Sequence, residues 1–547
     1  MVSRMAFGPR RGRWAALAVT STVIAALLAG CASTISGTAV AGPGTTSVTT
    51  PVSTGPTTHL SAPVTPRTSG PTTPVTTSPS TPPSGPTSTG PTTTVTTPGT
   101  TSVGTTISSV PDNGVPDDAV GLKPNAPQAK LAVKDNADTQ YDKLSVDAVD
   151  DLYTYYTQIF PGSFGKRFVP PKYLQSYDST DSDAKVCGAS VYQNANAGYY
   201  FPPCDTVAWD RGVLLPQLTK DIGVLAPAVV LSHEMGHDVQ IQLGLSQSTA
   251  TIVMEQQADC YAGAYWKWVA DGNSKYFNFN QSEGMRQLLL TLYQGHDPVG
   301  SSGKGDQDHG NGFDRTFAVT EGYNNGAKRC SQIDQKEIDT RGQEFPFEGL
   351  PQHYGNVDIT DSMIGEVADV VNEYFTQTAP GYHAPDLSTF EGDTPPACAG
   401  STPTFPVTYC PATNSIAYNL AELQRIGTPT SGWQSVNGDF SAFILLISRY
   451  ALAAQASGNS AVTGNNAGLR ALCYTGTFAT WMKEPQGNDG LQLSPNDLDK
   501  AIYEIVSSPL AASDADGKTS VPLIDRIQAF DVGVTQPITT CFDNYPG

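Results

Sequence analysis

Apolar side chains recur with the period of a helix in residues 143–162, where sequence with a globular pattern begins. In KLSVDAVDDLYTYYTQIFPG, four apolar residues share one helical face: Val146, Val149, Leu152 and Tyr156. Ser145 stands where an N-cap is expected, and Pro161–Gly162 predict the end of the helix. The pattern therefore predicts an amphipathic helix packed on a core.

Two more helices and one strand are predicted downstream. APAVVLSHEMGHDVQIQLG (226–244) reads as one helix, with Pro227 in its first turn and Gly244 at its C-terminal cap. MEQQADCYAGAYW (254–266) begins another helix after the polar, turn-like GLSQST. TVAWD (206–210) predicts an edge strand. Helices and strands together predict an α+β fold.

The patterned part of the chain occurs twice. Four segments resemble four later segments in the same order: 145–162 with 362–381, 204–218 with 410–426, 260–268 with 473–481, and 314–330 with 525–541. Each pair is anchored on a Cys or a Gly, so chance similarity among helices is a poor explanation. We predict a domain at 126–345 followed by a degenerate tandem copy of the same fold at 346–547.

The N-terminus has the pattern of a targeting segment. An apolar run from Trp14 to Leu28 follows a basic stretch and is too short to span a bilayer comfortably. LAGC (28–31) resembles a lipobox, which implies a lipoprotein signal peptide at 1–30 and acylation, for example by palmitate, of Cys31. The resemblance implies an extracytoplasmic protein anchored to a bacterial cell membrane. The alternative is cleavage at a small-residue site, with Cys31 incidental.

Residues 31–125 are rich in Thr, Ser, Pro and Gly, with very few large apolar side chains. Such a segment cannot bury enough surface to offset its chain entropy, so we predict a disordered stalk, open to O-glycosylation. The chain has a formal net charge of −20 and no basic patch, so nucleic acid is not an expected partner.

Nine cysteines fit an exported protein. Cys31 takes the lipid, and the remaining eight allow 105 pairings by themselves. The repeat reduces this number, because each half carries four cysteines in the same order. The expected disulfides join Cys187 with Cys204, Cys260 with Cys330, Cys398 with Cys410, and Cys473 with Cys541.

The chemistry of the chain is concentrated in LSHEMGH (231–237). On a helix His233 and His237 lie one turn apart on one face, so both imidazoles can reach one Zn²⁺, and Glu234 lies beside them as a base. Glu255 is placed to be the third ligand, and Asp259 to orient a zinc-binding His. The alternatives are a chance His-Glu-x-x-His on an ordinary helix and an acidic solvated face around Glu255.

Together these motifs resemble the neutral zinc metallopeptidase family. SHEMGHDVQ and EQQADCYAG match its HE-x-GH-x-VQ and E-x-QADC-x-AG motifs, and the likeness extends over roughly residues 145–335. Upstream, Cys187–Gly188 and YYFPPCDTVAWD (199–210) resemble its Cys-Gly and Tyr-Cys-Pro segments. Downstream, HGNGFDR (309–315) resembles its His-Gly…Arg stretch. The resemblance implies zinc held by three of these residues, with a glutamate base: His233, His237 and Glu255, with Glu234. Asp238 departs from the pattern, since a second His is common there.

The negative intermediate of peptide hydrolysis needs a further hydrogen-bond donor. His309 is the candidate by analogy with other zinc peptidases, and Tyr323 is a weaker one. The alternative for His309 is a loop residue, or part of an oxygen-rich cation loop with Asp306, Asp308 and Asp314.

The second half lacks every proposed site residue. Aligning Val239–Gln240 with Ala454–Gln455 pairs His233 with Ser448, Glu234 with Arg449 and His237 with Leu452; Glu255 then falls near Gly468, and Asp259 on Leu472. This half is predicted to be non-catalytic. It braces the first half, forms part of a substrate groove or binds a cell-envelope partner.

The sequence thus predicts a membrane-anchored zinc peptidase with a zincin-like catalytic domain and a peptide or protein substrate. Water activated by zinc would lose its proton to Glu234 and attack the peptide carbonyl. A peptide could pair with the predicted edge strand at 206–210. Two alternatives remain: a catalytically silent surface binding protein on a duplicated scaffold, and a zinc amidase of the cell wall, whose metal ligands usually have other spacings.

Overall fold

The computed structural model describes residues 115–547, except for 203, 247, 298–308, 342–355, 430–436, 485, 487–490 and 495. The predicted signal peptide, Cys31, the stalk up to residue 114 and the predicted domain boundary at 345/346 lie outside the described residues.

The first half combines eight short strands with eight helices among the described residues. The strands are β1 Gly121–Leu122, β2 Val133–Lys134, β3 Tyr173–Tyr177, β4 Lys185–Val186, β5 Ala189–Ser190, β6 Ala197–Tyr200, β7 Thr206–Asp210 and β8 Phe277–Asn278. The helices are α1 Gln140–Phe164, α2 Leu214–Asp221, α3 Ala226–Leu243, α4 Thr251–Ala270, α5 Glu283–Tyr293, α6 Gly312–Asn325, α7 Ala327–Cys330 and α8 Gln335–Thr340.

The second half repeats much of this order. Its helices are α9 Asp361–Thr378, α10 Leu420–Gly427, α11 Asp439–Ser457, α12 Asn465–Trp481, α13 Asp497–Ser507, α14 Leu523–Thr535 and α15 Ile538–Asn544. Its strands are β9 Asp386–Thr389, β10 Val407–Cys410 and β11 Ser415–Tyr418. In the first half α1 lies between β2 and β3, and seven helices follow β7. In the second half α9 precedes β9, and six helices follow β11.

The pairing of three strands is the same in the two halves, and the first sheet has β2 as a fourth strand. The first sheet has the order β2-β3-β7-β6, with β3 parallel to β7 and β6 antiparallel to it. The second has the order β10-β11-β9, with β9 parallel to β11 and β10 antiparallel to it. The structure is thus a mixed helix and sheet fold, and buried residues from both halves share one hydrophobic core.

The helices that carry the zinc motifs lie in that core. α3 begins with Pro227 in its first turn and ends at Gly244, whose φ of 89° is the left-handed conformation that glycine adopts readily. Residues 226–240 of α3 are all buried. At Gly236 a Cβ would lie 2.9 Å from the backbone Cα of Ala258, so this glycine lets α3 and α4 approach closely.

Four disulfides join Cys187 with Cys204, Cys260 with Cys330, Cys398 with Cys410, and Cys473 with Cys541. These are the pairs that the repeat predicts. The second and fourth are equivalent, since each ties the helix after the long core helix to a short helix near the end of its half.

Three details differ from the expectations. Helix α1 begins at Gln140 because Thr139 and Asp142 form a capping box, so Ser145 is not the N-cap but a buried residue inside the helix. The helix also continues past Pro161 to Phe164, since a proline in the last turn removes only one hydrogen bond. Residues 117–122 are ordered and not stalk, because β1 pairs with β8 and Asn280 donates a hydrogen bond to Asp117.

TVAWD (206–210) forms strand β7, but it is not an edge strand. β3 and β6 flank it on both sides, because the Cys187–Cys204 region returns the chain to pair Ala197–Tyr200 with it. The edge of this sheet near α3 is formed by β6, whose residues are buried.

Within the described residues, α11 is long and apolar enough to cross a membrane by length and composition. It is also largely buried, as expected for the core helix of a folded domain, and it occupies the same position in its half as α3.

Candidate metal centre

Helices α3 and α4 bring three ligating side chains together. His233 and His237 lie one turn apart on α3, with ring centroids separated by 4.9 Å, and Glu255 faces them from the first turns of α4. One Glu255 carboxylate oxygen lies 3.1 Å from His233 Nε2, and the other lies 3.6 Å from His237 Nε2. Ligand atoms of all three residues lie within 4.8 Å of one another.

These residues fit a zinc ion. Tetrahedral Zn²⁺ with bonds of about 2.0–2.1 Å has ligand atoms roughly 3.3 Å apart, and two imidazoles with one carboxylate form a common catalytic ligand set. His237 Nε2 is buried and has no hydrogen-bond partner within the described residues. Such an unpaired polar atom is costly unless a ligand satisfies it, and a metal ion does so.

Each imidazole is oriented by an acceptor behind it. His233 Nδ1 lies 2.7 Å from Asp259 Oδ1, and His237 Nδ1 lies 3.0 Å from Gln240 Oε1. A neutral ring that donates from Nδ1 presents the lone pair of Nε2 to the metal. Asp259 in turn accepts a hydrogen bond of 2.8 Å from Arg315 Nη2 on α6.

Burial and charge act against each other in the site. Burial lowers the pKa of His237 well below its usual value, so this ring is neutral and available as a ligand. Burial would raise the pKa of Glu255, but the positive charge of His309 and the imidazoles of His237 and His233 hold it well below its usual range. Burial likewise opposes charge on His233, yet Asp259 and Glu255 raise its pKa.

Glu234 lies beside the ligands on α3 and is 2 % exposed. Its Oε2 accepts a hydrogen bond of 3.1 Å from the backbone N–H of Tyr199. Tyr199 belongs to β6, so the carboxylate of Glu234 stands between the metal ligands and the edge of the sheet.

His309 is held by an acidic residue that the sequence interpretation did not include. Asp297 Oδ2 accepts the backbone N–H groups of His309 and Gly310, each at 2.7 Å, and Asp297 Oδ1 lies 3.3 Å from His309 Nδ1. Burial disfavours charge on this imidazole, but Glu255 and Asp297 raise its pKa. His309 Nε2 is buried and has no hydrogen-bond partner within the described residues.

The other candidates near His309 have different surroundings. Asp306 and Asp308 lie outside the described residues. Asp314 lies in the first turn of α6, where its backbone N–H bonds to Asn311. The hydroxyl of Tyr323 contacts Gln281, and its ring lies 5.9 Å from Lys267 Nζ near the far end of α4, so it is not a candidate for the oxyanion role.

Three supporting residues were missed by the sequence interpretation: Gln240, Asp297 and Arg315. Gln240 lies in the VQ part of the motif, and Arg315 lies in the HGNGFDR stretch, so both stood in segments that resemble the family without an assigned role. Asp297 follows His296 in a segment without any such signal.

Comparison with known proteins agrees with this geometry. The model of a family described as "Putative neutral zinc metallopeptidase" matches residues 103–287, a segment that includes α3 and α4 with all three ligands. No curated protein matches the chain, and no solved structure matches it. The family match and the buried His-His-Glu group together support Zn²⁺ as the cofactor. Residues 103–287 of this chain are therefore similar to the neutral zinc metallopeptidase family.

Proposed function

We propose that this protein is an extracytoplasmic, membrane-anchored zinc peptidase that hydrolyses peptide bonds, with Glu234 as its general base. The observation that carries the proposal is the convergence of His233, His237 and Glu255 in a buried site with Glu234 next to them. These residues would hold a zinc ion, which would lower the pKa of a bound water to about 7 and polarise a peptide carbonyl.

Glu234 does the proton transfer in this proposal. Its carboxylate takes the proton of the attacking water and then delivers it to the nitrogen of the leaving amine. The site is shielded from bulk solvent, since the ligands and Glu234 are each at most 3 % exposed, and a low dielectric strengthens the charge interactions in it.

His309 supplies the donor for the developing oxyanion. Burial opposes charge on the ring, but Glu255 and Asp297 raise its pKa and so favour the imidazolium form, in which Nδ1 donates to Asp297 and Nε2 also carries a proton, on the side away from Asp297. The unpartnered state of Nε2 supports this role, because a buried N–H with no acceptor is stabilised when negative charge develops beside it.

The edge of β6 is the proposed docking line for the substrate backbone. Its Tyr199 N–H points away from β7 and bonds to Glu234. A peptide that pairs with β6 would replace this contact and bring its own carbonyl next to the glutamate. β7 cannot do this, because both of its sides are already paired.

The second half is proposed to be a non-catalytic tandem repeat. The shared element order, the same strand pairing and the equivalent disulfides support the duplication. The residues aligned with the ligands and the base are Ser448, Leu452, Gly468 and Arg449. None of these four is a usual zinc ligand.

Anchoring through a lipid on Cys31 remains part of the proposal. The lipobox-like LAGC (28–31) and the Thr/Pro-rich segment after it support an anchor and a spacer. The four disulfides agree with this location, since such bonds persist in oxidising compartments outside the cytoplasm.

Hydrolysis of a defined peptide library by the zinc-loaded protein tests the proposal. Glu234→Gln should bind zinc as wild type does but lose at least about 10³-fold in kcat, since proton transfer and the nucleophile both depend on it. Glu321→Gln is a matched control on α6, where Glu321 pairs with Arg329 at 2.7 Å. Cleavage by Glu234→Gln at the wild-type rate would contradict the assignment of the base.

A further inference from the structure

The N-terminus of α6 is capped by a residue of the second half. Asn311 satisfies the backbone N–H of Asp314 at 2.8 Å, which leaves the first N–H groups of the helix in need of an acceptor. Asp499 on α13 supplies it: its Oδ1 accepts the N–H of Phe313 at 2.8 Å. The N–H of Gly312 also stabilises the Asp499 carboxylate. This carboxylate is 2 % exposed, so water cannot readily replace it.

Asp499 also holds the other end of the segment that carries His309. The hydroxyl of Tyr293, the last residue of α5, donates to the backbone carbonyl of Asp499 at 2.9 Å. Tyr293 packs so closely under Gly312 that a Cβ on this glycine would overlap its ring. One residue of α13 therefore fixes residues 293 and 313, and Asp297 and His309 lie between them in the chain.

The ring of Phe313 adds an apolar contact to the same junction. It packs against Phe530 of α14, with ring centroids 6.3 Å apart and an edge-on geometry. Both the backbone and the side chain of residue 313 are thus held by the second half. The start of α6 would have neither contact in an isolated first half.

From α6 the contacts lead to a zinc ligand. Arg315, two residues after Phe313, donates to Asp259 at 2.8 Å and to the carbonyl of Gly295 at 2.9 Å. Asp259 is the acceptor that orients His233. A shift at the start of α6 would therefore move His309, which lies just before the helix. It would also move Asp259, which orients the ligand His233.

We propose that Asp499 is a positioning residue, through which the second half holds His309 and the Arg315–Asp259–His233 contacts of the metal site in place. The proposal rests on the proposed function for its kinetic consequence, but its effect on zinc binding and on helix order does not. It gives the non-catalytic half a role: it caps the helix that supports the catalytic site.

Zinc affinity and amide hydrogen exchange of the full-length chain test this proposal. In Asp499→Ala the zinc dissociation constant, measured by competition with a chelating dye, should rise about tenfold, since partners behind metal ligands affect affinity on the order of 10- to 100-fold. Exchange in peptides covering residues 309–318 of the metal-free protein should accelerate. kcat should fall while KM stays near the wild-type value, because His309 acts on the transition state.

Asp514→Ala is the matched control. Asp514 is equally buried, and its carboxylate accepts backbone N–H groups of Gly464 and Lys518, both in the second half. It should lower the unfolding midpoint but leave zinc affinity within about twofold of wild type. Asp499→Asn, which keeps an acceptor oxygen, should restore most of the zinc affinity and slow exchange again.

The outcomes separate the two proposals. Two results would overturn the positioning role. One is an Asp499→Ala variant with the zinc affinity and the amide exchange of wild type. The other is an Asp514→Ala variant whose zinc binding is weakened as much as that of Asp499→Ala. If Asp499→Ala does not fold, Asp499→Leu keeps the volume of the side chain without an acceptor oxygen; faster exchange at 309–318 than in wild type then supports the role, and unchanged exchange overturns it. Weakened zinc binding in Asp499→Ala, with no peptide hydrolysis by wild type, would instead reject the proposed function alone.

Discussion

Helix pair α3–α4 and helix pair α11–α12 are held together by equivalent contacts, but different residues stand at the positions of the metal site. In the first pair Gln240 Nε2 donates to the Met254 carbonyl, and in the second Gln455 Nε2 donates to the Ala467 carbonyl at 3.1 Å. Gly322 in α6 and Gly533 in α14 each lie against the carbonyl of a disulfide cysteine, Cys260 and Cys473, with no room for a Cβ. These glycines, glutamines and cysteines therefore belong to the scaffold.

The space of the metal site is used differently in the second pair. Arg449, aligned with Glu234, donates to the carbonyls of Asp514, Leu510 and Ser513 at 3.1, 2.8 and 3.0 Å. At Gly468, aligned with Glu255, a Cβ would clash with the carbonyl of Ala512. The comparison teaches that packing of such a helix pair does not require the His-Glu-His set, which agrees with the proposed metal-binding role of that set in the first half.

The largest effect, on zinc affinity, is expected when the two histidines of the first half are replaced by the residues aligned with them in the second half. His233→Ser combined with His237→Leu removes two of three ligands, and zinc affinity should fall by at least about 10³-fold, since metal binding by a full site provides on the order of 10–16 kcal/mol. The circular dichroism spectrum should keep its helical signal, as the second half folds with these residues. Tight zinc binding by the double variant would refute the ligand assignment.

A smaller effect is expected from the arginine of the second half. Arg449 is fully buried, and burial lowers the pKa of its guanidinium to about 10. Arg449→Met should lower the free energy of unfolding by about 3 kcal/mol, because three buried carbonyls lose their donor. Denaturant unfolding measures this loss, while zinc stoichiometry should not change. Unaltered stability would mean that water reaches these carbonyls.

The smallest of the three effects is expected at Asp259, the residue that orients the ligand His233. Asp259→Asn keeps the shape of the side chain but removes the charge that faces Arg315 and His233, so zinc affinity should fall about 10- to 100-fold. Competition with a chelating dye measures this change. The aligned position in the second half is Leu472, so Leu472→Ala should destabilise the fold without altering zinc affinity.

The sequence predicts that the two histidines of the candidate metal site come together, because their signal is local. Helical spacing alone places His233 and His237 on one face, and Pro227 and Gly244 mark the ends of α3. The side chains that orient the ligands are not held by local contacts. Arg315 bonds to Asp259, 56 positions away in the sequence, and no pattern in either segment predicts that pairing. Asp297 was missed for the same reason.

Strand positions were harder to predict than strand identity. The composition of TVAWD indicates a strand, but whether it lies at an edge depends on which distant segment pairs with it. The start of α1 was missed because Ser145 and Thr139 are both good caps, and only the reciprocal contact of Thr139 with Asp142 decides between them.

The disulfide between Cys260 and Cys330 has a consequence for when the site matures. Cys260 directly follows Asp259, so the bond clamps the ligand-bearing helix one residue from the group that aligns a histidine. Thiols stay reduced in the cytoplasm, so this clamp can close only in an oxidising compartment. Under the proposed export, a chain retained inside the cell would hold its ligand helix less firmly, and the metal site would reach its final form only outside the cytoplasm.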